Sequence, residues 1–295
     1  MRKFPGSCAE LVVAAERAAI ACKNNEFAEA RGYLNDFSTA IQAPDVKDMT
    51  FFDVRGLCLR SRNERAEGDH EKSYQTAKEG LQMMQSIPPE FLTVWFYIHA
   101  AAVTSILASK ETDPQRYNDL ANENQAYLQA ALRDANTLDQ DQYPRSTADL
   151  KQKAHIYSAM AHLGCSLSGE PLEQGIVTKS DIDLAASELK AVQGSILDGI
   201  KPTHFQEIEI LLAQSDLSYK RSTLSRCPAG ERQALTWAFE YGKKAQRMAL
   251  DLDFKEAVHY ANRRLSRLTE LLLRNAFASR SSRASKSDLE ALIDF

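Results

Sequence analysis

Three side chains in this 295-residue chain have a spacing that suits metal binding: His155, His162 and Cys165. A helix through this segment would place them on one face, and zinc prefers histidine and cysteine ligands. A structural zinc site takes four ligands, usually held as closely spaced pairs, so three ligands at this spacing more often form a packed helix face. We therefore predict no metal and no cofactor here.

Motifs of the common enzyme classes do not occur in the sequence. It contains no HExxH, GxGxxG, GxxxxGK[ST] or GxSxG segment. The usual metalloprotease, dinucleotide-binding, P-loop and hydrolase sites are therefore excluded. We expect a protein that is not an enzyme, and we assign no catalytic residue.

The last third of the chain is strongly basic, although the formal net charge of the whole chain is −4. Residues 220–286 carry 15 Lys and Arg against 6 Asp and Glu, a local charge of +9. Arg263, Arg267 and Arg274 fall close to one stripe of a predicted last helix. Such a surface would attract an acidic peptide and, less often, nucleic acid. The predicted partner-binding residues are Lys243, Lys244, Arg247, Arg263, Arg264, Arg267 and Arg274.

An aromatic group in the first half of the chain consists of Phe91, Trp95, Phe96 and Tyr97. These side chains cover more than one face of a helix, so some of them must pack in the core. Core packing is favoured for the group as a whole. Trp95 and Tyr97 are the two that we expect to line a groove, and they complete the predicted partner-binding set.

The composition favours an all-α protein. Hydrophobic residues make up 44% and charged residues 26%, whereas glycine (12) and proline (9), which disfavour helix interiors, are few. The most apolar windows, such as Phe91–Leu107, are interrupted by polar groups or too short to span a bilayer, and the first residues do not resemble a signal peptide. Five cysteines without CxxC spacing favour free thiols. We expect a soluble cytoplasmic or nuclear protein without membrane contact.

The elements that must position these side chains follow one pattern. The segment Ala9–Pro44 reads as two helices joined by a polar turn at Lys23-Asn24-Asn25. The second helix carries an apolar stripe at +3, +7 and +10, which a helix aligns on one face. Its residues are Phe27, Ala30, Leu34 and Phe37, and the same spacing recurs at Tyr74, Ala77, Leu81 and Met84.

Further helices are predicted beyond Pro44, each bounded by polar turns or prolines. They cover about residues 49–66, 71–86, 90–109, 114–134, 203–224, 231–250 and 253–276. Another hairpin begins near Thr147 and contains an irregular loop at 168–179, after which Ser180 and the acidic residues that follow provide a helix N-cap. Residues 137–144 are predicted to be a connector.

This pattern resembles the tetratricopeptide (TPR) family, whose repeat pairs two helices over about 34 residues. The resemblance is clearest in second helices, is partial in first helices at Leu163-Gly164 and Tyr241-Gly242, and has uneven spacing. It implies a right-handed superhelix of about five to six antiparallel helix hairpins over residues 9–276. It also implies a concave groove for a peptide or helix of a protein partner. Residues 277–295 are predicted to be a disordered Ser/Arg-rich linker with an acidic-apolar tail, SDLEALIDF.

Two functions remain open at this point. The first is a non-enzymatic interaction scaffold that binds an acidic or amphipathic peptide or helix. The alternative is an RNA-binding helical-repeat protein, similar to the interferon-induced TPR proteins, that uses the basic C-terminal helices. The tail could also dock in the protein's own groove or serve as a short motif for a partner.

Overall fold

The computed structural model describes residues 8–24, 26–41, 50–86, 88–138, 144–169, 177–225 and 227–293. Within these ranges the chain forms eleven α-helices and no strand, which confirms the all-α class. The helices are α1 (Cys8–Lys23), α2 (Phe27–Ile41), α3 (Thr50–Glu67), α4 (His70–Met84), α5 (Phe91–Ala108), α6 (Pro114–Thr137), α7 (Pro144–His162), α8 (Lys179–Leu197), α9 (His204–Thr223), α10 (Pro228–Asp251) and α11 (Lys255–Ile293).

Helices that follow each other in sequence pack as pairs: α1 with α2, α3 with α4, α5 with α6, α7 with α8, and α9 with α10. The first helix of each pair also contacts the first helix of the next pair, and α11 contacts both α9 and α10. The helices α1, α3, α5, α7, α9 and α11 thus form one layer of consecutive neighbours. We call them the inner helices.

Most residues of the predicted apolar stripes of the second helices are buried, whereas Phe27, Tyr74 and Leu81 are half-buried. Ala30, Leu34 and Phe37 of α2 are each 5% exposed or less, and so are Ala77 and Met84 of α4. This burial removes apolar surface from water, which stabilises the fold by roughly 25 cal/mol per Å². The stripes therefore mark where each second helix packs on its neighbours.

Helix α5 is long and apolar enough, by length and composition, to cross a membrane, but 72% of its 18-residue window is buried inside the protein. Val94, Phe96 and Val103 are fully buried in it. Polar side chains within α5 bond internally; for example, the hydroxyl of Thr104 donates to the carbonyl of Ala100 at 3.0 Å. In this fold α5 is a core helix.

The segment after α7 differs from the sequence-based prediction. Gly164 has φ +58° and lies two residues after His162, the last residue of α7, so the pair Leu163-Gly164 ends a helix and does not lie inside one. The next helix is capped one residue before it begins, by Thr178, whose hydroxyl accepts from the backbone N–H of Asp181 at 3.3 Å. Ser180 was the predicted cap and lies inside α8.

The end of the chain differs as well. The predicted last helix stops near Ala276, whereas α11 continues to Ile293. The sequence contains no glycine or proline between Lys255 and Ile293, so no residue in this range interrupts the helical hydrogen bonds. Low-complexity composition here does not coincide with a helix break.

Candidate functional site

The inner helices enclose a chamber of about 290 Å³, close to the lower end of the size range of small-ligand sites. Helices α3, α5, α7, α9 and α11 all contribute to its wall, so it forms only when the hairpins are assembled. The chamber lining includes Arg62, Arg65, Trp95, Ile98, His99, Asp149, Lys153, Tyr157, Phe205, Ile208, Glu209, Leu212, Phe254, Glu256 and Tyr260.

One part of the chamber wall is apolar and aromatic. Phe205 and Phe254 meet edge to face with ring centroids 4.6 Å apart, a favourable arrangement for aromatic pairs. Ile98 and Leu212, each 1% exposed, lie behind the wall and anchor it to the core. Trp95 lines the chamber and stacks on His99, with ring centroids 6.3 Å apart. This part of the wall suits an apolar or aromatic side chain.

A polar cluster closes the chamber where α3 meets α11. The Arg65 guanidinium donates to the Glu256 carboxylate at 3.1 Å, and the Tyr260 hydroxyl donates to the same oxygen at 2.5 Å. Burial raises the pKa of Glu256, but Arg65 and Tyr260 outweigh that effect and hold it below its ordinary value. The Glu256 carboxylate is therefore ionised at neutral pH, and its Oε1 atom accepts from both partners.

A second polar cluster joins α7 to α9. Lys153 Nζ lies 3.3 Å from the Glu209 carboxylate, and the Tyr157 hydroxyl donates to the same carboxylate at 3.1 Å. Burial, and then the charge of Glu209, raise the pKa of Tyr157 well above its ordinary value. Tyr157 thus remains a protonated donor, and the cluster fixes the relative position of two inner helices.

Some polar atoms in the chamber wall have no hydrogen-bond partner among the described residues. These are Asp149 Oδ1, Glu209 Oε2 and Arg65 Nε, all shielded from solvent. Burial also raises the pKa of Asp149. The Arg62 guanidinium lies over the Trp95 ring at 6.0 Å, a cation–π distance. A buried polar atom without a partner costs free energy, so these atoms favour a ligand that supplies one.

His99 does not act as an acid or base in this wall. Its ring nitrogen Nε2 lies 2.9 Å from the Ser61 hydroxyl, and the side chain is buried. Burial, followed by the charges of Arg65 and Arg62, lowers the pKa of His99 well below its ordinary value. His99 therefore remains neutral at physiological pH and serves to pack α5 against α3.

Of the two aromatic residues predicted to bind a partner, only Trp95 lines the chamber. Tyr97 faces a different neighbour and stacks on Tyr127 of α6 at 6.4 Å. Arg62 and Arg65 of α3 also line the chamber, although neither was among the predicted partner-binding residues. Their signal in the sequence is that α3 carries arginines on several faces, so that a packed helix must bury some of them.

Arg264 corrects the prediction of a basic partner-binding surface. Its side chain is 0% exposed and forms an ion pair with the equally buried carboxylate of Asp216. Nη2 donates to Oδ2 at 2.7 Å, and Nε donates to Oδ1 at 3.1 Å. It also donates to the backbone carbonyls of Ser166, Leu167 and Tyr260. A side chain buried in this way joins α9, α11 and the α7–α8 connection and is not accessible to a partner.

Arg267 is also largely taken up by the protein itself. Its guanidinium lies over the Tyr219 ring at 4.5 Å, donates to the Gly169 carbonyl at 3.3 Å, and lies 3.5 Å from the Asp216 carboxylate. Arg263, one turn earlier, is half-buried and lines a second cavity, which is described below. Arg263 and Arg267 belong to α11, whereas the exposed cations Lys244 and Arg247 belong to α10.

The remaining predicted basic residues lie near the surface. Lys244 and Arg247 are exposed on α10, and Lys243 is half-buried with its Nζ 6.0 Å from the Phe239 ring centroid. Arg274 on α11 is exposed and pairs with Glu270 at 2.6 Å. The seven predicted basic residues therefore do not form one surface.

The structure separates the histidines and cysteine first considered for metal binding. His155 Nδ1 lies 2.5 Å from the Glu188 carboxylate on α8, whereas Cys165 is buried beyond the end of α7. Burial raises the pKa of Cys165 to about 12, so it remains a thiol. In the part of the chain that the structure describes, no three His, Cys, Asp or Glu side chains are grouped so as to hold a metal ion.

Comparison with known proteins adds no family to this description. No protein-family model, no curated protein and no solved structure matches the chain.

Proposed function

We propose that this protein is a non-enzymatic scaffold with a TPR-like, right-handed superhelical arrangement that binds a peptide or helix of a protein partner. The packing of each inner helix on the next supports the repeat arrangement, since helical-repeat proteins stack hairpins in this way. The single observation that carries the binding role is the chamber between five inner helices, with unpartnered buried polar atoms beside an aromatic wall.

The chemistry of the chamber favours a peptide over a uniformly charged ligand. The described lining balances three cations, Arg62, Arg65 and Lys153, against three carboxylates. Asp149 and Glu209 present unpartnered acceptor oxygens that backbone N–H groups can satisfy, and Arg62 can receive an acidic side chain. An apolar side chain beside Trp95 would then bury surface against the aromatic wall. An amphipathic, partly acidic segment meets all of these requirements.

The chain offers a matched pair for the experiment, because it contains two tryptophans, Trp95 in the chamber and Trp237 on α10 at 54% exposure. Peptides selected from a displayed library on the purified protein should bind Trp237→Ala as they bind wild type. Their affinity for Trp95→Ala should fall by about tenfold or more, since a buried aromatic anchor is commonly worth 1.4 kcal/mol or more. Equal affinity for both variants would refute the chamber as the binding site.

RNA binding remains the second proposal, and the exposed side chains of Lys244 and Arg247 favour it. It predicts filter-binding affinity that falls steeply with salt and weakens in Lys244→Glu/Arg247→Glu, because phosphate contacts release counterions. An absence of RNA affinity at low salt would dismiss it. The peptide proposal does not depend on that result.

A further inference from the structure

A second cavity, of about 400 Å³, shares Arg65, Glu256 and Tyr260 with the chamber. Its other described lining comes from the first residues of α2 and α4, the end of α3 and the α3–α4 turn, Ile106 and Lys110 at the end of α5, Ser168 in the α7–α8 connection, and α11. We call it the basic cavity. Its charged and imidazole side chains are Arg65, Lys110, Lys255, Arg263, His70, His259 and Glu256.

The described lining of the basic cavity is not electrically balanced. Four cationic side chains and one carboxylate line it, and two of the cations, Lys110 and Lys255, take part in no ion pair among the described residues. That carboxylate, Glu256, is already bonded to Arg65 and Tyr260. The chamber next to it has equal numbers of cations and carboxylates. The described linings of the two cavities therefore differ in charge.

The helix geometry adds to this positive potential. Phe27, His70 and Lys255 line the basic cavity and are the first residues of α2, α4 and α11. The N-terminus of a helix carries a partial positive charge, equivalent to about half an elementary charge. Three helices begin beside this space, and their partial charges favour an anion there in addition to the side chains.

A third observation concerns Arg65, which is 9% exposed. Its Nη2 atom is used by Glu256, but its Nε atom is buried and has no partner among the described residues. Lys110 and Lys255, by contrast, are exposed and take part in no ion pair in the described part of the chain. Arg65 lines both cavities, so a ligand in either one could supply the missing acceptor, and the basic cavity adds two lysines that can approach an entering ligand.

We propose that the basic cavity binds a small soluble ligand that carries two or three phosphate groups. Several negative charges on one small ligand match the cationic lining, and phosphate oxygens are strong acceptors for lysine and arginine donors. Lys110 and Lys255 are 145 positions apart in sequence, so the site exists only in the assembled fold. This ligand is distinct from the peptide of the chamber.

Titration calorimetry with inorganic tripolyphosphate, in buffer without divalent metal, tests the proposal on the full chain. Lys110→Gln and Lys255→Gln should each weaken binding by about tenfold, which corresponds to one charge-assisted hydrogen bond. Lys244→Gln and Arg247→Gln are the matched controls, because they remove exposed cations of α10 that do not line the cavity. Circular dichroism melts of each variant establish that the fold is retained.

The site is supported if tripolyphosphate binds to wild type and to the control variants but not to the cavity variants. A parallel titration with adenosine triphosphate shows whether a nucleoside adds affinity. No binding of either compound would overturn the proposal. Equal weakening by the α10 controls would also overturn it, because the attraction would then be a general effect of net charge. Binding of RNA alone, without affinity for tripolyphosphate, would assign the surface to nucleic acid instead. Peptide binding in the chamber is tested separately, by comparing the peptide affinity of Trp95→Ala with that of wild type.

Discussion

Replacement of Arg264 by alanine tests the most deeply buried charge in the described structure. The side chains of Arg264 and Asp216 are both 0% exposed. All three guanidinium nitrogens are used, by the carboxylate and by the carbonyls of Ser166, Leu167 and Tyr260. Arg264→Ala therefore leaves one buried carboxylate and three carbonyls without their common donor.

The expected loss is large because only one member of a buried pair is removed. Breaking a buried ion pair in this way costs about 3–5 kcal/mol, since the remaining charge is not compensated. Arg267 stays within 3.5 Å of the Asp216 carboxylate and offsets part of that cost. We expect Arg264→Ala to lower the free energy of unfolding by about 3–4 kcal/mol, a substantial share of the 5–15 kcal/mol of a typical domain.

Urea denaturation followed by circular dichroism provides the measurement. Arg274→Ala is the matched control, because that arginine lies on the same helix, is 72% exposed and should change stability by less than about 0.5 kcal/mol. The double variant Asp216→Leu/Arg264→Met removes both charges and should be more stable than Arg264→Ala. A loss below about 1 kcal/mol for Arg264→Ala, or a double variant less stable than the single one, would refute the reasoning.

Four further expectations concern two glycines, a half-buried carboxylate and an exposed thiol. Gly80→Ala should destabilise the protein to urea by about 1–3 kcal/mol, because an added Cβ lies 2.2 Å from the Phe96 ring. Gly32→Ala meets no atom within 4 Å and should instead stabilise helix α2 by about 0.5–1 kcal/mol. Thermal melts between about pH 6 and pH 3 should show a weaker pH dependence for Glu256→Gln than for wild type, because the lowered pKa of Glu256 gives stability that is lost as the pH falls. In a titration with Ellman's reagent, Cys227→Ser should show one fast-reacting thiol fewer than wild type, because Cys227 is the exposed cysteine among those described.

The helices themselves were largely predictable from the sequence. Local signals define them: Ala30, Leu34 and Phe37 are confirmed as the buried face of α2, and Pro114 stands at the start of α6 as predicted. Such signals involve residues a few positions apart, which one helix brings together. The prediction was wrong at the Leu163-Gly164 pair, because a glycine that packs inside a helix and one that ends it look alike in sequence.

The chamber and the basic cavity could not be predicted in the same way. Each inner helix contributes a few residues, from Arg62 to Tyr260, and no spacing rule links them. Charge along the sequence was also a poor guide to exposure. Arg263 and Arg264 are adjacent, yet one lines a cavity and the other is buried against Asp216, 48 positions earlier. Tertiary contacts decide which arginine meets solvent.

The contact between Arg65 and Glu256 has a consequence for how the protein folds. An array in which each hairpin touches only its neighbours can unfold one unit at a time from its ends. Here a 3.1 Å ion pair joins residues 191 positions apart, so loosening of α11 also breaks a contact of α3. Closing such a long loop costs chain entropy and slows folding, but it couples distant hairpins into one transition. The protein should therefore unfold more cooperatively than an open helical array of the same length.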